Sequence, residues 1–144
     1  MNESLSFIKT HELAKLPIKN NATDSGYDVF CVETKIVPAL QSAIVDVGLK
    51  FAHIPSGYWI KVESRSGLGF KHGIMAHPGI IDNGYRGDAG IKLYNLTSRD
   101  YTVTAGDRIA QFVLYPLAPN YFVNFSDTAT ESNRGESGFG SSGK

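Results

Sequence analysis

No stretch of ten or more residues in this chain repeats its apolar side chains at the 3.6-residue period of a helix. What it carries is period 2, in short pieces. Over residues 58–63, Tyr58, Ile60 and Val62 fall on one face and Trp59, Lys61 and Glu63 on the other. Similar short apolar runs occupy residues 4–9, 27–32, 35–38, 43–51, 74–76, 90–96, 101–104 and 108–115, with a break at Gly48. Clusters of Gly, Pro, Asn, Asp and Ser separate them. Helix is limited to single turns, one over 11–16 ended by Pro17 and one over 68–71. Many short strands with regularly spaced turn signals predict an all-β sandwich or barrel.

The 144 residues fit one domain with its own core. Fourteen basic residues balance fourteen acidic ones, which argues against a non-specific nucleic-acid binder. The single cysteine, Cys31, stands among Val29, Phe30 and Val32 and reads as a buried thiol. No N-terminal apolar run has the form of a signal peptide, and none of about 20 residues could span a bilayer. The expectation is an intracellular, cytoplasmic protein with no membrane contact, a nuclear or viral-host setting being compatible. Composition changes after Phe125. Residues 126–144 contain no Leu, Ile or Val and one aromatic, Phe139, too little apolar surface to order a segment. The predicted organisation is a domain over 1–125 and a flexible C-terminal arm over 126–144.

Five stretches carry candidate chemistry. Residues 79–91 place Asn83-Gly84 between apolar flanks, the strongest short-range hairpin signal, so a type I′ turn is expected with Asp82 and Tyr85 straddling it. Four glycines in this stretch suit a close approach by backbone or ligand. Backbone amides, one carboxylate and one aromatic ring suit a flat, hydrogen-bonding object such as a base; a plain surface hairpin has the same composition. In Glu63-Ser64-Arg65-Ser66-Gly67, hydroxyls, a guanidinium and the N–H groups of a helical turn suit a phosphate, or form an ordinary capped turn. Ser25-Gly26-Tyr27-Asp28 puts an acid at a strand start, fit to orient a hydrated Mg2+ or to cap a loop. Gly106-Asp107-Arg108-Ile109-Ala110-Gln111 is a turn entering a strand, in which Asp107 and Arg108 could pair at the surface. The arm offers Arg134, glycines and serines for an anion and Phe139 for stacking. Gly138 to Lys144 matches the P-loop spacing, but the sequence ends at the lysine and lacks the following Ser/Thr and helix. Four histidines, His11, His53, His72 and His77, show no paired metal spacing.

Together and in this order, these five stretches resemble the blocks of the trimeric deoxyuridine triphosphatase (dUTPase) family, over roughly residues 5–144. The resemblance implies a jelly-roll-like distorted β-barrel that assembles as a homotrimer. Active sites would lie between subunits, each completed by a neighbour's arm. It implies hydrolysis of dUTP to dUMP and pyrophosphate, with Mg2+ as cofactor. Asp82 would be the general base. Tyr85 would stack under the deoxyribose and exclude a 2′-OH. Backbone at Gly79, Ile81, Gly90 and Lys92 would read the uracil. Arg65, Ser66, Gly67 and Gln111 would hold phosphates, and Asp28 would contact the waters of Mg2+. From the arm, Phe139 would cover the uracil, while Arg134, Gly140, Ser141 and Ser142 would close over the phosphates.

The chain departs from the family pattern at four places. His77-Pro78 stands where small residues usually precede the glycine. Gly84 stands where an acid is common, Asp88 where Glu or Asn is common, and Gly69 where Ala is frequent. None removes a catalytic group. The related dCTP deaminases, which share the barrel, would need a hairpin-side Glu, and no Glu lies between Glu63 and Glu131. A regulatory protein partner, with the arm as a nucleotide-gated switch, is compatible with activity and is not identified by these residues.

Overall fold

The structure is a computed structural model that describes residues 3–140 and 143. Ten strands form where short strands are expected, and one short helix extends the helical turn read over 68–71. They are β1 (Ser6–Lys9), β2 (Gly26–Phe30), β3 (Lys35–Val37), β4 (Ser42–His53), β5 (Tyr58–Glu63), α1 (Ser66–His72), β6 (Ile74–Ala76), β7 (Ile80–Ile81), β8 (Asp88–Asn95), β9 (Tyr101–Val103) and β10 (Arg108–Pro116). All pairings between them are antiparallel, in a sheet ordered β1-β4-β8-β6, a sheet ordered β2-β10-β5-β7, and a pair β3-β9. The all-β expectation holds. The segment around His11 is a single turn closed by Ala14 N–H to the His11 carbonyl.

The two larger sheets face each other across an apolar core. Alternation decides which side chains enter it. In β5, Ile60 and Val62 are buried; in β8, Ala89, Ile91 and Leu93 are buried while Asp88, Gly90 and Lys92 face outward. Three rings join the sheets: Phe7 of β1, Phe51 of β4 and Phe112 of β10 lie with centroids 5.1 to 6.2 Å apart. Such contacts add roughly 0.5–1.5 kcal/mol per pair beyond burial. Cys31 is buried, and its thiol donates to the Thr104 carbonyl. Burial pushes that thiol's pKa up.

Gly48, expected to break its strand, instead bulges it. β4 runs on for twelve residues with an irregularity between Asp46 and Lys50. Its N-terminal half pairs with β8 and its C-terminal half with β1. Gly48 has φ +67°, and a Cβ there would stand 2.8 Å from that of His11. One strand thus serves two neighbours through a residue that must be glycine.

Beyond β10, Leu117 N–H still bonds the Gly57 carbonyl. From Ala118 to Gly140 there is no helix or strand among the described residues. Tyr121, Phe122, Val123, Phe125 and Phe139 are all exposed. No helix among the described residues is long and apolar enough to cross a membrane.

Candidate active site

The stretch 79–91 is not a paired hairpin. β7 pairs with β5, whereas β8 pairs with β4 and β6. The chain between them crosses from one sheet to the other. Tyr85 N–H bonds the Asp82 carbonyl at 2.9 Å, so a turn is present. Neither Asn83 nor Gly84 has positive φ, so it is not type I′. The reason lies in where the Asn83 amide goes. Its nitrogen donates to the carbonyls of Pro55 (2.9 Å) and Tyr58 (2.8 Å), tying the turn to the β4–β5 connection. A long-range contact has overridden the local preference of Asn-Gly.

This crossing builds a cleft of about 260 Å³. Gly79, Ile81, Asp82, Tyr85, Gly90 and Lys92 all line it, with His77 and Asp88 at its walls. The residues that the resemblance assigns to the base, the sugar and the general base therefore meet the same space. Tyr85 is held at both ends. Its hydroxyl donates to the Asp88 carbonyl at 2.9 Å, and its ring stands edge-on to Phe51 at 5.8 Å. It folds over Gly87, where a Cβ would fall 2.3 Å from the phenol oxygen. A Cβ at Gly90 would meet nothing within 4 Å, so its backbone is open to a ligand. Asp82 is exposed, and among the described residues no ion pair engages its carboxylate. His77 bonds the Tyr94 hydroxyl through Nδ1 at 2.8 Å.

A second, polar depression of about 360 Å³ gathers Asp28, Arg65, Ser66 and Gln111, joined by Asn20 and Asp24. Asp28 lies inside β2, its side chain largely buried. One carboxylate oxygen meets Arg65 Nε at 3.3 Å, the other Arg108 Nη1 at 3.1 Å. The surface pairing read for Arg108 with Asp107 does not form. Asp107 instead accepts the Thr104 N–H, closing its own turn. Gln111 donates to the Ser64 carbonyl at 3.0 Å, and its side chain fills the space that a Cβ at Gly26 would need. Ser66 and Gly67 begin α1, whose first turn holds no acid.

Mg2+ takes oxygen ligands and keeps several waters. Among the described residues no three His, Cys, Asp or Glu side chains cluster to hold a metal. Asp28 shares its oxygens with two guanidiniums, a donor that fits contact through water rather than direct ligation. The residues present thus fit an ion carried mainly by a ligand's phosphate oxygens.

The two clefts share no lining residue. Arg134, Phe139 and Gly140 line neither; Arg134 Nε donates to the Ser137 carbonyl, and Phe139 is exposed with φ +50°. Ser141 and Ser142 lie outside the described residues. Sequence reasoning missed Asn20 and the pairing of Arg108, which lie 88 positions apart and carry no local signal.

The antiparallel all-β fold around an aromatic core, with one cleft lined by Asp82 and Tyr85 and a polar depression lined by Asp28 and Arg65, defines the class of barrel to which the chain is compared. The family model described as dUTPase matches residues 12–143. A deoxyuridine 5'-triphosphate nucleotidohydrolase of Kluyveromyces lactis is 35% identical over all of this chain and 99% of its own length. One from Paramecium bursaria Chlorella virus 1 is 40% identical over 97% of this chain and 98% of its own. Among solved structures, the Staphylococcus bacteriophage 80alpha dUTPase with dUpNHpp matches with TM-score 0.86 and 30% identity, covering 99% of this chain and 100% of its own. A point mutant of the dUTPase from phage phi11 of S. aureus, described with a structural Mg(II) ion, matches at TM-score 0.78 and 25% identity over 88% of this chain and 99% of its own. The chain belongs to the dUTPase family.

Proposed function

We propose that this protein is a dUTP diphosphatase, converting dUTP and water to dUMP and pyrophosphate. Family membership supports the reaction, and the convergence of Asp82, Tyr85 and open backbone at Gly90 on one cleft is the observation that carries it. Asp82 takes a proton from a water held in line with the α-phosphorus, and pyrophosphate leaves from the opposite side. The pinned ring of Tyr85 lies under the deoxyribose and leaves no room for a 2′-OH. Backbone at Gly79, Ile81, Gly90 and Lys92 reads the uracil edge; a base with the wrong donor pattern would leave buried groups unpaired, which is costly.

Arg65, Ser66 and Gly67 hold phosphates, with Gln111 near the α-phosphate. When bound, Mg2+ supplies positive charge that neutralises the phosphate oxygens, with Asp28 reaching its waters. In this reading, which rests on family membership, a second copy of the chain completes each site. The assembly is a homotrimer in which the arm, residues 126–144, closes over a neighbour's site. There Phe139 covers the base and Arg134, Gly140, Ser141 and Ser142 cover the phosphates. Exposed Phe139 and the apolar stretch before the arm are consistent with surfaces awaiting such cover. Acting inside the cell, the enzyme limits uracil entry into DNA and supplies dUMP for thymidylate synthesis.

Turnover in heavy-oxygen water tests the point of attack. Label is expected in dUMP; label in pyrophosphate would place the attack on the β-phosphorus and refute this geometry.

A further inference from the structure

Asn20 closes a triangle with Arg108 and Asp28. Its Oδ1 accepts from Arg108 Nη1 at 2.7 Å, and its Nδ2 donates to Asp28 Oδ2 at 3.3 Å. Arg108 Nη1 reaches that same Asp28 oxygen at 3.1 Å. The amide orientation is forced, because the flipped form would set NH2 against a guanidinium and oxygen against a carboxylate. Asn20 is placed there by backbone. Two residues earlier, Ile18 exchanges both hydrogen bonds with Asp28, at 2.7 and 3.2 Å.

The other end of the network is Arg65. Its Nε meets Asp28 Oδ1 at 3.3 Å, and its Nη1 donates to the Arg108 carbonyl at 3.4 Å. Two guanidiniums thus compete for one largely buried carboxylate. A guanidinium takes both oxygens of a carboxylate when nothing prevents it. Asn20 satisfies one Arg108 donor and one Asp28 lone pair with a neutral group, and the Phe30 ring lies under the Arg108 guanidinium at 5.4 Å. Arg108 is thereby confined to Oδ2, and Oδ1 is left for Arg65.

We propose that Asn20 is a positioning residue that fixes the Arg65 guanidinium for the triphosphate by dividing Asp28 between the two arginines. The proposal rests on the reading of the polar depression as the phosphate site. Only a side chain with an acceptor and a donor at adjacent positions does this without adding charge.

The test is calorimetric binding of dUpNHpp with Mg2+ to the full-length protein, beside dUTP turnover and thermal unfolding. Wild type, Asn20→Ala, Asn20→Asp and Arg65→Ala are compared. Loss of hydrogen bonds to charged groups predicts about tenfold weaker binding and higher KM for Asn20→Ala, with kcat changed less than about twofold. Asn20→Asp keeps the acceptor for Arg108 but sets a second carboxylate, in place of the donor, against Asp28, so it too should bind more weakly than wild type at neutral pH with kcat changed less than about twofold. Wild-type binding by Asn20→Ala while Arg65→Ala binds weakly overturns the proposal. If Arg65→Ala binds as wild type, the phosphate-site reading falls and the Asn20 proposal with it. Should Asn20→Ala not fold, the near-isosteric Asp variant decides: wild-type affinity in the folded Asp variant overturns the proposal.

Discussion

Gly26 has no side chain because Gln111 uses its space: a Cβ would fall 2.0 Å from the Gln111 amide oxygen. The clash is with the far end of a flexible side chain, so Gly26→Ala should displace Gln111 rather than unfold the strand. Stability should drop by about 1 kcal/mol or less, while the Gln111 bond to the Ser64 carbonyl is lost and dUTP turnover falls at least about tenfold. Unfolding curves and turnover measured together check this; a variant with wild-type turnover would show that Gln111 tolerates the shift. The placement of single residues was legible in the sequence only where local composition fixed it. Cys31 among apolar neighbours read as buried, and it is. Asp28 read as a strand-start acid, but its partners Arg65 and Arg108 arrive from other elements, and no spacing in the chain encodes that meeting.

At the scale of elements, most strands could be read from alternation alone, because burying one face of a strand forces period 2. Tyr58–Glu63 matched its β5 boundaries for this reason. The turn after β7 was read from Asn83-Gly84 as a local device, and local devices yield to tertiary ones. Asn83 anchors the crossing by its side chain on the carbonyls of Pro55 and Tyr58. Asn83→Ala should therefore cost about 1–3 kcal/mol, since partly buried carbonyls lose their donor. It should also lower activity, because Asp82 is the preceding residue. Chemical denaturation checks the first part. A loss under about 0.5 kcal/mol, the usual range for an unremarkable surface change, would mean that the anchor is not what sets the turn.

Across the whole molecule, one chain carries a cleft at Asp82 and Tyr85 and a polar depression at Asp28 and Arg65, proposed above for the base and the phosphates, with no lining residue in common. The sequence motifs named Asp82 and Tyr85 in one set and Asp28, Arg65, Ser66 and Gln111 in the other, but not Asn20. Which set meets which in space depends on sheet order, and the sheet order here puts β7 and β8 in different sheets. If each working site joins Asp82 of one chain to Arg65 of another, two inactive variants should complement. Mixing Asp82→Asn with Arg65→Ala through unfolding and refolding should restore about a quarter of wild-type activity, the chance that both contributing chains are intact at a given site. No recovery from a mixture that demonstrably forms hybrids would place the whole site within one chain.

The most direct measurement is pyrophosphate release from dUTP, with dCTP, dTTP and UTP alongside, for wild type and Asp82→Asn. The predicted result is release from dUTP alone, reduced at least about a hundredfold in the variant, in keeping with loss of a general base. Equal release by both proteins would contradict Asp82 as the base. No release from dUTP by the wild type, with the nucleotide still raising its melting temperature, would contradict the reaction itself and leave a binding protein on a dUTPase fold.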